Sequence, residues 1–353
     1  MKQENQTKVN LLHFGLGPIG LEILKASSQV HNLNTLGAID LDPSKVGQDI
    51  GDLIGIDHKN VKVTDTLQDL PSFKEDLGKV AIHATGSNLE NVWPQIKQLL
   101  DHGFSVVSTC EELAYPWHRY PQLAEEINNY AKQKGLAVIG TGVNPGFIMD
   151  TMTLCLTTVT NEVGDITVTR KVDVSKRRIP LQKKVGIGMT EAAFYELVKE
   201  NKVGHVGLVE SARLIAYGLG VELSEVSNTI HPTIADRDYQ IALGNLKKGQ
   251  VSGQHQIVRA KTTDNRTITL ELIMAVAVNQ EDRIQLAGKE PIELVIPNGI
   301  FGDTATAAMA INTAKIIGTS CFTGLVTMAD IKLPRNINVA QKEVVPYKEA
   351  VSL

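Results

Sequence analysis

Apolar and polar positions follow two alternating rhythms over residues 9–140. Short apolar runs, "VNLLHF" (9–14), "TLGAID" (35–40), "VKV" (61–63), "KVAIHAT" (79–85), "FSVVSTC" (104–110) and "LAVIGT" (136–141), each end at a polar residue or a glycine. Between them, apolar residues recur every three or four positions, as in "NLENVWPQIKQLLDHG" (88–103) and "YPQLAEEINNYAKQKG" (120–135), and both stretches close on a glycine. That spacing predicts amphipathic helices, and the closing glycines supply the left-handed residue that often ends one. Continuous apolar strands alternating with helices predict a parallel sheet buried on both faces. The first part of the chain is therefore read as α/β, a doubly wound (Rossmann) domain.

After "GTGVNPG" (140–146) the texture changes. Residues 163–172, 254–263 and 267–278 alternate as strands with one polar face, and probable helices near 190–200 and 207–217 interrupt them. This pattern predicts a second, α+β domain on an open, largely antiparallel sheet. The last helical segment, "TATAAMAINTAKII" (304–317), is built of small residues that call for a close neighbour. It is expected to return to the first domain. The division is then a first domain over 1–147, completed by 303–353, and a second over 148–302. A chain of 353 residues has the length of two such domains.

Composition narrows the class. The chain is 42% hydrophobic and 21% charged, with a formal net charge of −4, the balance of a globular enzyme without a nucleic-acid-binding surface. No stretch approaches the roughly 18 consecutive apolar residues of a membrane span. The opening "MKQENQTK" is polar and lacks a signal-peptide core. Cys110, Cys155 and Cys321 are few, far apart and without metal-type pairing. No metal is expected, and a reducing, cytoplasmic compartment is.

Candidate chemistry starts with Gly15, Gly17 and Gly20, a GxGxxG that also holds Pro18 and Ile19, follows a strand and opens a helix. The first glycine permits the turn, the second lets backbone approach a pyrophosphate, and the third permits close packing. The helix N-terminus offers N–H groups to the anion. Asp40 ends the second strand, 20 residues after Gly20. A carboxylate there accepts hydrogen bonds from ribose hydroxyls and repels a 2′-phosphate. This predicts a dinucleotide cradle favouring NAD, with Lys45 near enough in sequence to leave NADP open.

Ligands of an open parallel sheet lie beyond the carboxyl ends of its strands. Three later strands end in "HATGS", "STCEE" and "GTGVNPG". Gly86 and Ser87 either approach the cofactor or start the next helix; Asn144 either bonds its carboxamide or caps a helix. Of the adjacent Glu111 and Glu112, one is expected to serve a helix terminus and the other to move protons or stabilise a cation. Cys110 is read as a packing residue, because neighbouring carboxylates oppose a thiolate. In the second domain His205 stands at a loop–helix junction between two glycines, as a packing residue or a cleft wall. Arg177 and Arg178, in "SKRRIPLQKK" (175–184), are a solvated run or a substrate-carboxylate clamp.

Taken together, "FGLGPIG", "GAIDLDPSKVGQDIG", "STCEELAYPW", "GTGVNPGFIMD", "GHVGLVES" and "IFGDTATAAMAIN…GLVTMADIKLP" resemble the 2,4-diaminopentanoate dehydrogenases and related native amine dehydrogenases. Their N-terminal domain is dihydrodipicolinate-reductase-like. The resemblance runs over nearly the whole chain. It implies NAD(P)-dependent oxidative deamination of an amine, the reverse reductive amination of a carbonyl with ammonia, and a homodimer. It also places the catalytic glutamate in "CEEL", carried here to Glu111 ahead of Glu112. Dihydrodipicolinate reduction itself is not expected, since the paired histidines followed by a lysine are missing. The rival readings are a dehydrogenase of an alcohol or semialdehyde and a non-catalytic dinucleotide sensor, which would need no cleft carboxylate.

Overall fold

The computed structural model describes residues 9–70, 78–177 and 179–336. In the first part β1 (Val9–Phe14), α1 (Pro18–Ser27), β2 (Leu33–Ile39), α2 (Ile50–Ile54), β3 (Val63–Thr64), β4 (Lys79–His83), α3 (Leu89–Asp101), β5 (Ser105–Ser108), α4 (Pro121–Lys134) and β6 (Ala137–Gly140) follow in order. The second part holds α5 (Thr151–Thr157), β7 (Ile166–Asp173), α6 (Ile179–Lys184), α7 (Glu191–Lys199), α8 (Leu208–Gly218), β8 (Leu223–Ile234), β9 (Tyr239–Ile241), β10 (Gly244–Leu246), β11 (Val251–Thr262), β12 (Thr267–Ala275), β13 (Glu281–Leu286) and β14 (Ile292–Pro297). The last elements are α9 (Gly302–Gly318) and β15 (Gly324–Val326).

The first sheet has seven strands in the order β15-β6-β5-β4-β1-β2-β3, all parallel. Its central strands are apolar on both faces because helices cover both. Leu11, Val80 and Val107 face α9, while Leu12, Ala81 and Val106 face α3 and α4. Asn88 caps α3 by accepting from Asn91 N at 3.0 Å. Gly135, at φ +67°, ends α4. Of the expected "VKV" strand only Val63 lies in β3, while Lys62 makes an isolated bridge to Asp49.

The small residues of α9 lie against this sheet. Ala307, Ala310 and Ala314 join Val9, Val80, Ile82 and Val107 in one core. The approach is backbone-close at its end, where a Cβ on Gly78 would stand 1.9 Å from the Gly318 carbonyl oxygen. β15 then pairs beside β6, Leu325 opposite Val138.

The second sheet runs β14-β13-β7-β12-β11-β8, and every pairing is antiparallel except β7 with β12. One face is a core of Val168, Val258, Ala260, Leu270, Leu272 and Ile284, on which α8 lays Leu208, Ala212 and Ile215. Among the described residues β8 and β14 form the two edges of this sheet. Their partly exposed residues lack the sustained alternation that marks the inner strands.

A buried ion pair closes this sheet toward α9. Arg170 on β7 donates from Nη1 to both oxygens of Asp282 on β13, at 2.9 and 2.8 Å, and from Nη2 to the Ile300 carbonyl at 2.7 Å. Ile300 N donates back to Asp282 at 2.7 Å. Both side chains are buried, so truncating one strands the other's charge. Asp282→Ala is expected to lower unfolding stability by about 3–5 kcal/mol in urea titration. A loss below about 1 kcal/mol, the scale of an exposed pair, would show that the pair does not hold this junction.

Candidate active site

The glycine loop leaves β1 under β4. Gly15 takes φ +93°, and a Cβ there would meet the Ala84 carbonyl oxygen at 2.7 Å. A Cβ on Gly20 would lie 1.9 Å from the Gly15 carbonyl oxygen, so helix and turn touch through backbone alone. Gly17, the N-cap of α1, has nothing within 4 Å of where its Cβ would be. It faces open space that a pyrophosphate can enter, with the N-terminus of a ten-residue helix behind it.

Asp40 follows β2 directly. Leu16 N donates to Oδ2 at 2.6 Å and Asp42 N to Oδ1 at 2.8 Å. Lys45 Nζ stands 3.4 Å from Asp40 and 3.2 Å from Asp42. Beside it Leu41 is 76% exposed, an apolar platform that sequence reasoning passed over. Gly15, Gly17, Asp40, Leu41, Leu67 and Gln98 border a cavity of about 510 Å³. A second cavity, of about 470 Å³, opens on the other side of the loop. The two share Gly17, Ala84 and Thr85, so a trough crosses the cradle from the Asp40 side to the strand ends.

The second cavity collects most of the expected residues. Gly17, Pro18, Ile19, Gly86, Ser87, Glu111, Asn144, Arg177 and His205 all line it. Asn144 does not cap the following helix, because Asp150 does so by accepting from Thr151 N at 2.6 Å. Gly86 and Ser87 precede the Asn88 cap of α3. His205 likewise stands ahead of α8, whose cap is Gly207, and its backbone is clasped by Gln256, which accepts from His205 N at 2.7 Å and donates to its carbonyl at 3.2 Å. Burial holds the His205 imidazole pKa down at about 4, so it is neutral at neutral pH. Arg177 stacks on Phe301, 4.1 Å from the ring centre, with Asp303 at 3.8 Å. Arg178 lies outside the described residues.

The adjacent glutamates part company. Glu112 is buried away from the cavity and fully engaged: it accepts from Leu89 N (2.8 Å), Tyr120 Oη (2.9 Å), Asn88 Nδ2 (3.2 Å) and Arg119 Nη1 (3.3 Å). Of the two candidate carboxylates, Glu112 is the one whose oxygens are taken up within the protein. It serves the start of α3, the helix before it in sequence, where the helix field favours negative charge. Glu111 opens the 3-10 turn Glu111–Ala114 and lines the cavity. Burial raises its pKa above the usual carboxylate range, against a hydrogen bond from Ser87 and the field of Lys184. Burial also pushes the Cys110 thiol up to about 12, and its Sγ donates to the Ser87 carbonyl at 3.2 Å. Cys110 is a packing residue.

Further wall residues went unread in the sequence. Lys184 closes the basic run, Asp303 and Thr306 open α9, and Gln254 sits on β11. Gln254 had a signal: with Gln256 it places amides where strand alternation asks for apolar side chains. Buried polar atoms without a protein partner gather here, namely Thr141 Oγ1, Asn144 Oδ1, Arg177 Nε, His205 Nδ1 and Gln254 Oε1. Each costs about 1–3 kcal/mol if left unpaired, so the cavity is built for a polar guest. Together with the space at Gly17, this donor and acceptor set fits a dinucleotide and a small polar substrate.

Comparison with known proteins follows that geometry. Residues 147–347 match the model of the 2,4-diaminopentanoate dehydrogenase C-terminal domain. Over 270 residues the chain is 31% identical to 2,4-diaminopentanoate dehydrogenase of Acetoanaerobium sticklandii, covering 74% of this chain and 76% of that protein. The chain belongs to the 2,4-diaminopentanoate dehydrogenase family. Membership makes it an NAD(P)-dependent oxidoreductase. Its fold is that of an amine dehydrogenase from Mycobacterium smegmatis (TM-score 0.80, 22% identity, 95% of this chain and 98% of the other). A shorter likeness, 29% over 133 residues, links it to 4-hydroxy-tetrahydrodipicolinate reductase of a Cyanothece species, over 37% of this chain and 44% of that protein. Among the described residues no helix is long and apolar enough to cross a membrane.

Proposed function

We propose that the protein is an NAD-preferring amine dehydrogenase, deaminating an amine oxidatively and aminating a carbonyl in reverse. The observation that carries this reading is Glu111, a desolvated carboxylate on the wall of a cavity continuous with the glycine loop. A bound nicotinamide supplies or accepts the hydride at the nitrogen-bearing carbon. Glu111 takes the proton from ammonium, the dominant and non-nucleophilic form of ammonia at neutral pH. Its fixed negative charge also faces the substrate's iminium carbon, a cation that water would stabilise less well because water must reorganise. Val172, Leu181, Leu272 and Met274 keep part of the cavity wall apolar, while Arg177 and Lys184 bring positive charge to it. That pairing supports an amine carrying a carboxylate, as a diaminopentanoate does. Asp40 supports NAD over NADP, and a cytoplasmic homodimer without a nucleic-acid partner completes the reading.

The direct test is NADH oxidation with a panel of 2-amino-4-oxopentanoate, pentan-2-one, cyclohexanone and pentanal, with and without ammonium chloride. Turnover that requires ammonium is expected. Ammonium-independent turnover would point instead to an alcohol or aldehyde dehydrogenase, and none at all to a sensor.

Glu111→Gln keeps the side chain's size and removes the base. It is expected to lower kcat by about 10²-fold or more with little change in NADH affinity. In the parent, oxidative kcat should fall as pH drops through the raised Glu111 pKa, because protonation removes the base, and the variant should lack that limb. A variant with parental kcat and pH profile would remove Glu111 from the chemistry.

Cofactor choice is tested at Asp40. Asp40→Ala deletes the charge that opposes a 2′-phosphate and releases Lys45 from its 3.4 Å pairing. The NADPH/NADH ratio of kcat/KM should rise by about tenfold, equivalent to about 1.4 kcal/mol. An unchanged ratio would place the ribose elsewhere.

A further inference from the structure

Glu111 belongs to the first domain, yet part of what holds its turn in place comes from α8 of the second. Gly207, the N-cap of α8 at φ +102°, lies flat on the catalytic turn: a Cβ there would meet Pro145 Cδ at 2.4 Å and Glu111 Cβ at 3.2 Å. Three residues further on, Glu210 accepts from Arg119 Nε at 2.9 Å. The same guanidinium donates from Nη1 to Glu112 at 3.3 Å, the residue bonded to Glu111. Glu210 and Glu112 are 2% and 6% exposed, and Arg119 is the guanidinium that bridges them. Two buried carboxylates sharing one cation are a poor way to gain stability, since each must be desolvated. Among the described residues Glu210 Oε2 accepts no hydrogen bond. What the arrangement does provide is geometry, because it joins the backbone of the 3-10 turn to a helix whose own packing is divided between both cores. Leu208, Ala212 and Ile215 of α8 lie in the second-domain core, and Leu214 lies with Val9, Leu11 and α9 in the first.

We propose that Glu210 and Arg119 are positioning residues for Glu111: through Glu112 and beside the Gly207 contact, they set where the catalytic carboxylate stands in the cleft. This rests on the amine-dehydrogenase reading of Glu111. Neither residue lines the cavity, and neither touches the reacting atoms. Their removal therefore acts on the placement of the base and leaves dinucleotide binding alone.

The test is a double-mutant cycle in the full-length chain, using NADH, ammonium chloride and the panel carbonyl that turns over fastest. Arg119→Met should lower kcat about 10- to 100-fold, the cost of a base displaced by up to about an ångström, with KM for NADH within about twofold of the parent. Arg119→Lys should recover part of the loss, and Glu210→Gln, which keeps its shape, should move kcat in the same direction and carries the test if Arg119→Met does not fold. In a Glu111→Gln background the same changes should cost little more, since no base remains to be misplaced. Equal losses in both backgrounds, or parental kcat in Arg119→Met and Glu210→Gln, would overturn the positioning role alone. Parental kcat in Glu111→Gln by itself would overturn the reading of Glu111, and the positioning role with it.

Discussion

Asp150 has no exposed surface, and it accepts hydrogen bonds from Gly146 N at 2.9 Å, Thr151 N at 2.6 Å and Ser211 Oγ at 2.6 Å. Those donors belong to three different parts of the molecule: the loop that leaves the first sheet, the start of α5, and α8. A buried carboxylate so desolvated keeps its charge only if every donor stays in place. The loop at Asn144 and Pro145 and the helix that presses on Glu111 are therefore held relative to one another. The cavity floor, its wall at Glu111 and the seam between the sheets all depend on this one residue.

Around that seam, charge is handled in two opposite ways. Glu112 is surrounded by four donors and fixes structure, whereas Glu111, next to it in sequence, is raised in pKa by burial that its hydrogen bonds from Ser87 and from backbone do not offset. The same contrast separates Arg170, bound on both sides by Asp282 and Ile300, from Arg177, whose Nε is buried without a partner. A polar group whose hydrogen bonds are all made within the protein stabilises the fold. One left unpaired at a cavity is available to a substrate.

The glycine loop was readable in one dimension because its requirements are local. Gly15 and Gly20 each answer a backbone contact made within a few residues or beside the neighbouring strand, and Gly17 leaves open space at the start of α1. The parallel sheet was equally legible, since strands buried on both faces carry continuous apolar runs. β8 and β14 were not, because edge strands with exposed faces lack that pattern. Lys184, Gln254 and Asp303 escaped as site residues for a related reason: each reaches the cavity from an element distant in sequence, and nothing nearby in the chain marks the direction in which it points.

The amino-acid order by itself determined the doubly wound first domain, the glycine loop with Asp40 behind it and the change of texture after Gly146, and it singled out "CEE" as a candidate for chemistry. These are matters of period, backbone freedom and charge, which act over a few residues. Only the tertiary structure put Glu111 on the cavity wall and Glu112 among four donors, set Asn144 and His205 along the cavity, and brought α8 against the 3-10 turn. Desolvation and hydrogen-bond satisfaction depend on what folds back from more than 90 residues away, as Glu210 does onto Arg119, and no local pattern encodes that.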